Sequence, residues 1–91
     1  MSVSSEVTVT NAVGLHARPA AQFVKTAASF KCKISVENLT KQSAPVNAKS
    51  LLSVLSIGVQ KDDRIRITVD GENEQTAMDA ILELVNKNFG E

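Results

Sequence analysis

The spacing of apolar residues changes several times along this 91-residue chain, and those changes limit the folds that it can adopt. Alternating apolar and polar residues are typical of strands, whereas apolar residues three and four positions apart are typical of one helix face. Strands are predicted over residues 3–10, 32–36, 44–48 and 64–70, and helices over residues 17–29, 50–57 and 74–88. Pro45 restricts the third strand to a sheet edge or a strand start.

The resulting order, β-α-β-β-α-β-α, predicts an α+β fold in which helices cover one face of a mostly antiparallel sheet. The chain length predicts a single domain over residues 1–91. The order of elements alone leaves the order of strands in the sheet open, and a ferredoxin-like sheet fits it equally well.

Glycine and proline predict where the helices begin and end. Gly14 permits a tight turn with positive φ before the first helix. Because proline is accepted in the first turn of a helix, Pro19 places the start of that helix close to His16. Gly58 is expected to end the second helix. A side-chain cap from Asn73 or Glu74 is expected at the start of the last helix.

The spacing also predicts which helix faces are buried. For the first helix the predicted face consists of Ala17, Ala20, Ala21, Val24, Ala27 and Ala28, and for the last helix of Ala77, Ile81, Leu84 and Val85. The chain has no Trp or Tyr, so aliphatic residues and three Phe must form the core.

Composition argues against several functional classes. Ten basic residues balance ten acidic ones, so no charge excess predicts a nucleic-acid or membrane partner. The single Cys32 has no cysteine for a disulfide and no Cys/His partner for zinc, which suits a reducing cytoplasm. No signal peptide and no apolar run of about 20 residues is seen, so a cytoplasmic protein is expected. No cofactor and no metal is expected either.

The only histidine, His16, lies where the loop that contains Gly14 becomes a helix. A lone histidine is more often structural or merely exposed than functional. A helix start, however, presents backbone N–H groups and partial positive charge to an anion such as a phosphoryl group. Arg18 adds a guanidinium that can bind phosphate through two hydrogen bonds. Basic residues are mildly disfavoured in a first helical turn, so Arg18 also suggests an anion there.

Two segments carry a family resemblance. Residues 14–20, Gly-Leu-His-Ala-Arg-Pro-Ala, resemble the active-site signature of the histidine phosphocarrier (HPr) family of the bacterial phosphotransferase system. Residues 47–59, Asn-Ala-Lys-Ser-Leu-Leu-Ser-Val-Leu-Ser-Ile-Gly-Val, resemble the regulatory-serine segment of the same family. The resemblance extends over essentially the whole chain.

The resemblance implies an open-faced β-sandwich with four strands and three helices on one face. It implies that His16 receives a phosphoryl group at Nδ1 from enzyme I, which phosphoenolpyruvate charges, and passes it to IIA domains of sugar permeases. Arg18 would assist the transfer. Such a protein is a stoichiometric phosphocarrier, expected to be a monomer, and not an enzyme that turns over a substrate.

The resemblance also implies a regulatory site and a docking surface. Ser50 would be phosphorylated by an HPr kinase/phosphorylase and could then bind a transcriptional regulator, although by composition alone a helix cap is the better interpretation of this serine. The partner-binding residues implied are Gln22, Lys25, Lys49, Leu51, Leu52 and Leu55. The three leucines cannot all face one way, so at least one is expected to pack inward.

The sequence leaves several alternative functions open. Thr10-Asn11 and the segment 86–89 are similar to the nitrogen-branch paralogue of HPr, whereas Lys49-Ser50 favours the sugar branch. A regulatory HPr-like binding protein is a second alternative, against which His16 argues. A ferredoxin-like ligand-binding module lacks a Gly-rich loop, and a hydrolase lacks a convincing catalytic set.

Overall fold

The computed structural model describes residues 2–90. Its strands are β1 (Ser2–Thr8), β2 (Lys33–Asn38), β3 (Val46–Asn47) and β4 (Arg64–Asp70). Its helices are α1 (Ala17–Ala28), α2 (Leu51–Ser56) and α3 (Glu74–Asn86), followed by a 3-10 turn at Asn88–Gly90. The predicted order β-α-β-β-α-β-α is confirmed.

The four strands form one sheet in the order β1-β4-β2-β3, and every neighbouring pair is antiparallel. The fourth strand therefore lies between the first and the second. A ferredoxin-like sheet has its third strand in that position, so this alternative is excluded. β3 is two residues long and lies at the sheet edge, as Pro45 predicts.

Alternation along the strands divides the sheet into a covered and an uncovered face. Ile65, Ile67 and Val69 of β4 point toward the helices and are fully buried. The intervening positions, such as Arg64 and Arg66, belong to the polar face that the helices leave uncovered. The predicted pattern of β4 is confirmed residue by residue.

The predicted buried face of α1 is wrong in part. Ala17, Ala21 and Ala28 are exposed, and Val24 is half-buried. Ala20 and Ala27 are buried as predicted, and the other buried residues of this helix are Pro19 and Phe23. Phe23 sets the orientation because it has far more apolar area to bury than any alanine, and its ring packs edge-on against Phe89 with centroids 6.3 Å apart.

The end and the start of α3 also differ from expectation. The helix ends at Asn86 because Asn88 and Phe89 adopt positive φ, which turns the Phe89 side chain into the core. Its buried stripe contains Met78 where Leu84 was expected, and Leu84 is half-buried. Asn73 precedes the helix in the left-handed conformation, where its side chain makes no capping hydrogen bond.

Candidate functional site

His16 is the N-cap residue of α1, with extended backbone angles (φ −78°, ψ −174°). Its carbonyl accepts the first hydrogen bond of the helix, from the Ala20 N–H at 2.8 Å. Its side chain makes no capping hydrogen bond and is exposed. The imidazole is therefore presented outward from the place where the helix begins, as the sequence predicts.

The residues before His16 fix this position. Leu15 is buried, and its N–H donates to the carbonyl oxygen of Val59 at 3.0 Å. Gly14 has φ +61°, and a Cβ there would lie 2.5 Å from the Val59 oxygen and 2.7 Å from Cα of Gln60. Only glycine fits both the conformation and the close backbone approach, so Gly14 holds the loop of His16 against the turn that follows Val59.

Asn11 is a structural residue of the site that the sequence analysis missed. It is buried; its Nδ2 donates to the Gly14 carbonyl at 2.7 Å, and its own carbonyl accepts from the Gly14 N–H at 3.1 Å. Among the buried side-chain nitrogen and oxygen atoms of residues 2–90, the Asn11 Oδ1 is the one without a hydrogen-bond partner. An asparagine three residues before a turn glycine is the signal that could have found it.

Asp63 supports the turn from the other side. Its carboxylate accepts hydrogen bonds from the Gln60 N–H and the Asn38 Nδ2, each at 3.0 Å, and lies 3.5 Å from the Lys41 Nζ. Burial alone would raise the pKa of Asp63. The hydrogen bonds from Gln60 and Asn38 and the charge of Lys41 outweigh it and hold the pKa below the ordinary value of 3.8.

The start of α1 is electropositive. Its first turn contains no acidic residue, and the amides of Ala17 and Arg18 precede the first intrahelical bond. Pro19 follows them and has no N–H to contribute. The Arg18 side chain is exposed and takes part in an interaction within the protein. His16 and Arg18 are thus both accessible at one helix terminus.

The second predicted site, Ser50, is the N-cap of α2. Its Oγ accepts a hydrogen bond from the Ser53 N–H at 3.4 Å, a long distance for such a bond, and the residue is half-buried. The structure thus gives Ser50 the capping role that composition favours. Its phosphorylation stays a prediction.

The structure separates the six predicted partner-binding residues into two groups. Gln22 and Lys25 on α1 and Leu51 and Leu52 on α2 are exposed, with Leu52 at 81%. Leu55 is half-buried and packs against the core, and Lys49 is half-buried with its Nζ donating to the Phe30 carbonyl. The expectation that at least one leucine of the triplet faces inward is therefore met by Leu55.

Val13 is another exposed apolar residue that the sequence analysis did not single out. It is 55% exposed and belongs to the loop that presents His16. An apolar side chain next to a turn glycine was the available signal. Together with Leu51 and Leu52, it is among the large exposed apolar residues of the part of the chain that the structure describes.

Residues 2–90 contain no group of three or more His, Cys, Asp or Glu side chains that could hold a metal ion. Within the same residues, no helix has the length and apolar character needed to span a bilayer. The groups that the start of α1 presents are an accessible imidazole, a guanidinium and helix-terminal amides.

Residues 3–87 match the family described as "PTS HPr component phosphorylation site". The chain is 42% identical over 86 residues to the phosphocarrier protein HPr of Xylella fastidiosa (strain Temecula1), with 94% of this chain and 93% of that protein covered. The solved structure of HPr-C-His from Thermoanaerobacter tengcongensis superposes with a TM-score of 0.90 at 38% identity, covering 98% of this chain and 97% of that one.

A longer relative also matches. The multiphosphoryl transfer protein of Salmonella typhimurium is 39% identical over 89 residues, or 98% of this chain. The chain spans about a quarter of that protein's length, at 24%.

Proposed function

Because the chain belongs to the PTS HPr family, we propose that it is a phosphocarrier that holds a transferable phosphoryl group on His16. One observation carries the proposal. The imidazole of His16 is exposed at the start of α1, and its side chain is not used to cap that helix. An exposed His16 also favours a carrier over a regulatory protein that acts only through Ser50.

In the proposed reaction, a neutral His16 ring attacks the phosphorus of a phosphorylated enzyme I. The lone pair of Nδ1 forms the new P–N bond while the bond from phosphorus to the donor breaks, and Nε2 keeps its proton. In the second transfer, a nucleophile of a IIA domain attacks the phosphorus, and the P–N bond to His16 breaks. The chain is regenerated and acts as a stoichiometric intermediate.

The helix terminus is the proposed source of stabilisation for the phosphoryl anion. The amide groups at the start of α1 carry partial positive charge, and a first turn without carboxylates does not neutralise it. Arg18 is proposed to contribute the guanidinium fork. Since lysine keeps the charge but loses the fork, Arg18→Lys should slow phosphorylation without abolishing it.

The test is phosphorylation by a purified enzyme I and phosphoenolpyruvate, followed by intact-mass measurement before and after mild acid. One phosphate-sized gain that acid removes is expected for the native chain, and none for His16→Ala. Because the His16 side chain is exposed, the variant should fold normally, and its circular dichroism spectrum is the control. An equal gain in His16→Ala would contradict the proposal.

The exposed leucines of α2 are the proposed apolar part of the surface that docks enzyme I and IIA domains, with Gln22 and Lys25 at its rim. Leu52 is the best probe because it is 81% exposed, so shortening it should leave stability unchanged. Leu52→Ala should slow phosphorylation by enzyme I several-fold at limiting enzyme I. The matched control is Leu55→Ala, which should lower stability because Leu55 packs against the core.

Ser50 is the proposed regulatory site next to that surface. A phosphate at Ser50 would bring up to about two negative charges to the start of the docking helix. We expect Ser50→Asp to weaken enzyme I binding while the fold persists, because aspartate is also a good N-cap. Ser50→Ala is the control for loss of the hydroxyl. Unchanged transfer rates in Ser50→Asp would argue against regulation at this serine.

A further inference from the structure

A cleft of about 530 Å³ opens at one end of the sheet, where β2 begins and β4 ends, and none of its lining residues belongs to the loop of His16. Its lining includes Cys32 and Ile34, which are buried, and its rim includes Lys31 and Lys33, which are exposed. The volume lies within the range of small-molecule sites. Neither the helix-terminus chemistry of His16 nor the capping role of Ser50 uses this cleft.

A row of hydrogen-bonding side chains crosses three strands inside the cleft. Ser35 of β2 pairs with Thr68 of β4 on one side and with Asn47 of β3 on the other. Asn47 Oδ1 accepts from the Lys49 N–H at 2.9 Å, which leaves its NH₂ group to donate elsewhere. Paired positions of neighbouring strands share one face of the sheet, so two hydroxyls and an amide lie side by side.

Three lysines and one carboxylate surround this row. Lys31, Lys33 and Lys49 line the cleft together with Asp70. In the described part of the chain, residues 2–90, none of the three lysines forms an ion pair. The Lys49 Nζ donates one hydrogen bond to the Phe30 carbonyl. The cleft therefore carries a local excess of positive charge although the whole chain is neutral.

The other end of the same sheet face is arranged differently. There Arg64 and Arg66 both pair with Glu6, at 3.5 and 3.2 Å, and Arg66 also pairs with Glu37 at 3.5 Å. The basic residues at that end are neutralised by carboxylates of neighbouring strands. Within residues 2–90, the three lysines of the cleft form no ion pair, although Asp70 lies opposite Lys33 in the strand register. This excess of unpaired cations over one carboxylate points to an anion supplied from outside.

We propose that this cleft binds a small phosphate monoester of a polyol. The lysines bind the phosphate, and the row formed by Thr68, Ser35 and Asn47 exchanges hydrogen bonds with the hydroxyl groups. The carboxylate of Asp70 repels the phosphate and limits the affinity of the cleft for it. Binding of this kind is independent of phosphorylation at His16.

The probe is ribose 5-phosphate, titrated into the ¹⁵N-labelled chain and followed by amide chemical shifts. We expect saturable shifts centred on residues 31–35, 47–49 and 68–70, with a dissociation constant of about 1 mM or tighter. Ribose, which lacks the phosphate, and inorganic phosphate, which lacks the sugar hydroxyls, should each bind several-fold more weakly than ribose 5-phosphate. His16→Ala should bind ribose 5-phosphate as the native chain does, which separates this site from the phosphocarrier function.

Charge variants give the sharper test, because the expected effects have opposite signs. Lys31→Gln and Lys33→Gln should each weaken binding about fivefold, and Asp70→Asn should tighten it at least about twofold. All three residues are exposed, so the variants should fold normally. Lys61→Gln, an exposed lysine outside the cleft, is the matched control and should change nothing. Shifts spread evenly over surface lysines, or equal affinity in all four variants, would overturn the site.

Discussion

The first two helices pack against each other but begin in opposite ways. At the start of α2, the Ser50 side chain turns back and accepts the Ser53 N–H. At the start of α1, the His16 side chain makes no capping hydrogen bond and faces solvent. A helix start that its own side chain closes serves local stability, whereas one left open can bind an anion from outside.

The open start of α1 forgoes a cap worth about 1 kcal/mol. Other features keep the helix in place. Leu15 is buried and hydrogen-bonded to Val59, Gly14 packs against the backbone of the same turn, and Pro19 presets helical φ in the first turn. The position of His16 is thus determined by its neighbours on the chain, which leaves the imidazole available for chemistry.

The largest expected effect comes from breaking this arrangement at Gly14. Gly14→Ala combines positive φ with a Cβ 2.5 Å from the Val59 oxygen, so it should lower the free energy of unfolding by about 3 kcal/mol. Gly58→Ala, beside α2, is the matched control: φ is +57° but the nearest atom is 3.6 Å away. It should cost about 1 kcal/mol. Urea unfolding measures both, and equal losses would contradict the close-packing role of Gly14.

A smaller effect is expected from Asp63, which anchors the turn beneath Gly14. Because the pKa of Asp63 is lowered in the folded protein, the unfolded chain binds its proton first as the pH falls. The stabilisation is therefore complete above the ordinary pKa of about 4 and is lost as the pH falls below it through the folded pKa.

The measurement is the free energy of unfolding between pH 6 and pH 2, for the native chain and for Asp63→Asn. The variant should be less stable at pH 6 and should show a weaker decline toward acid. Asp79→Asn, on the exposed side of α3, is the control and should keep the native pH dependence. Parallel curves for the native chain and Asp63→Asn would show that Asp63 does not anchor the turn.

The smallest expected effect compares the two N-caps directly. Ser50→Ala should lower the free energy of unfolding by about 0.5–1 kcal/mol, because the Ser53 N–H loses its acceptor. His16→Ala should change it by less than about 0.5 kcal/mol, because an exposed side chain without a capping bond is removed. Thermal or urea unfolding distinguishes them. A larger loss in His16→Ala would mean that His16 has a structural role.

The sequence predicts the elements of this fold better than their orientation. Alternation locates β4 to the residue, because every second residue of that strand is buried under the helices. Helical spacing locates α1 but misjudges its buried face, since five alanines and one valine obscure the one large residue, Phe23, that decides the rotation. The order of strands depends on long-range pairing, which local spacing does not encode.

For the site, the sequence likewise predicts the exposed residues better than the residues that hold them in place. His16 and Arg18 follow from residue type and from their place after Gly14. Asn11 was missed although its bond to Gly14 spans only three residues, whereas Asp63 was missed because a partner of its carboxylate is distant in sequence. Asp63 meets Asn38 across 25 residues, a contact that no local pattern reveals.

The most direct test of the open helix start is to find the atom that carries the phosphoryl group. The chain, ¹⁵N-labelled at histidine, is phosphorylated by enzyme I and phosphoenolpyruvate, and its ³¹P and ¹⁵N signals are recorded at neutral pH. We expect one phosphorus signal, coupled to Nδ1 of His16 and lost after mild acid. A phosphorus signal on Ser50 or any other side chain, with the His16 ring unchanged, would contradict it.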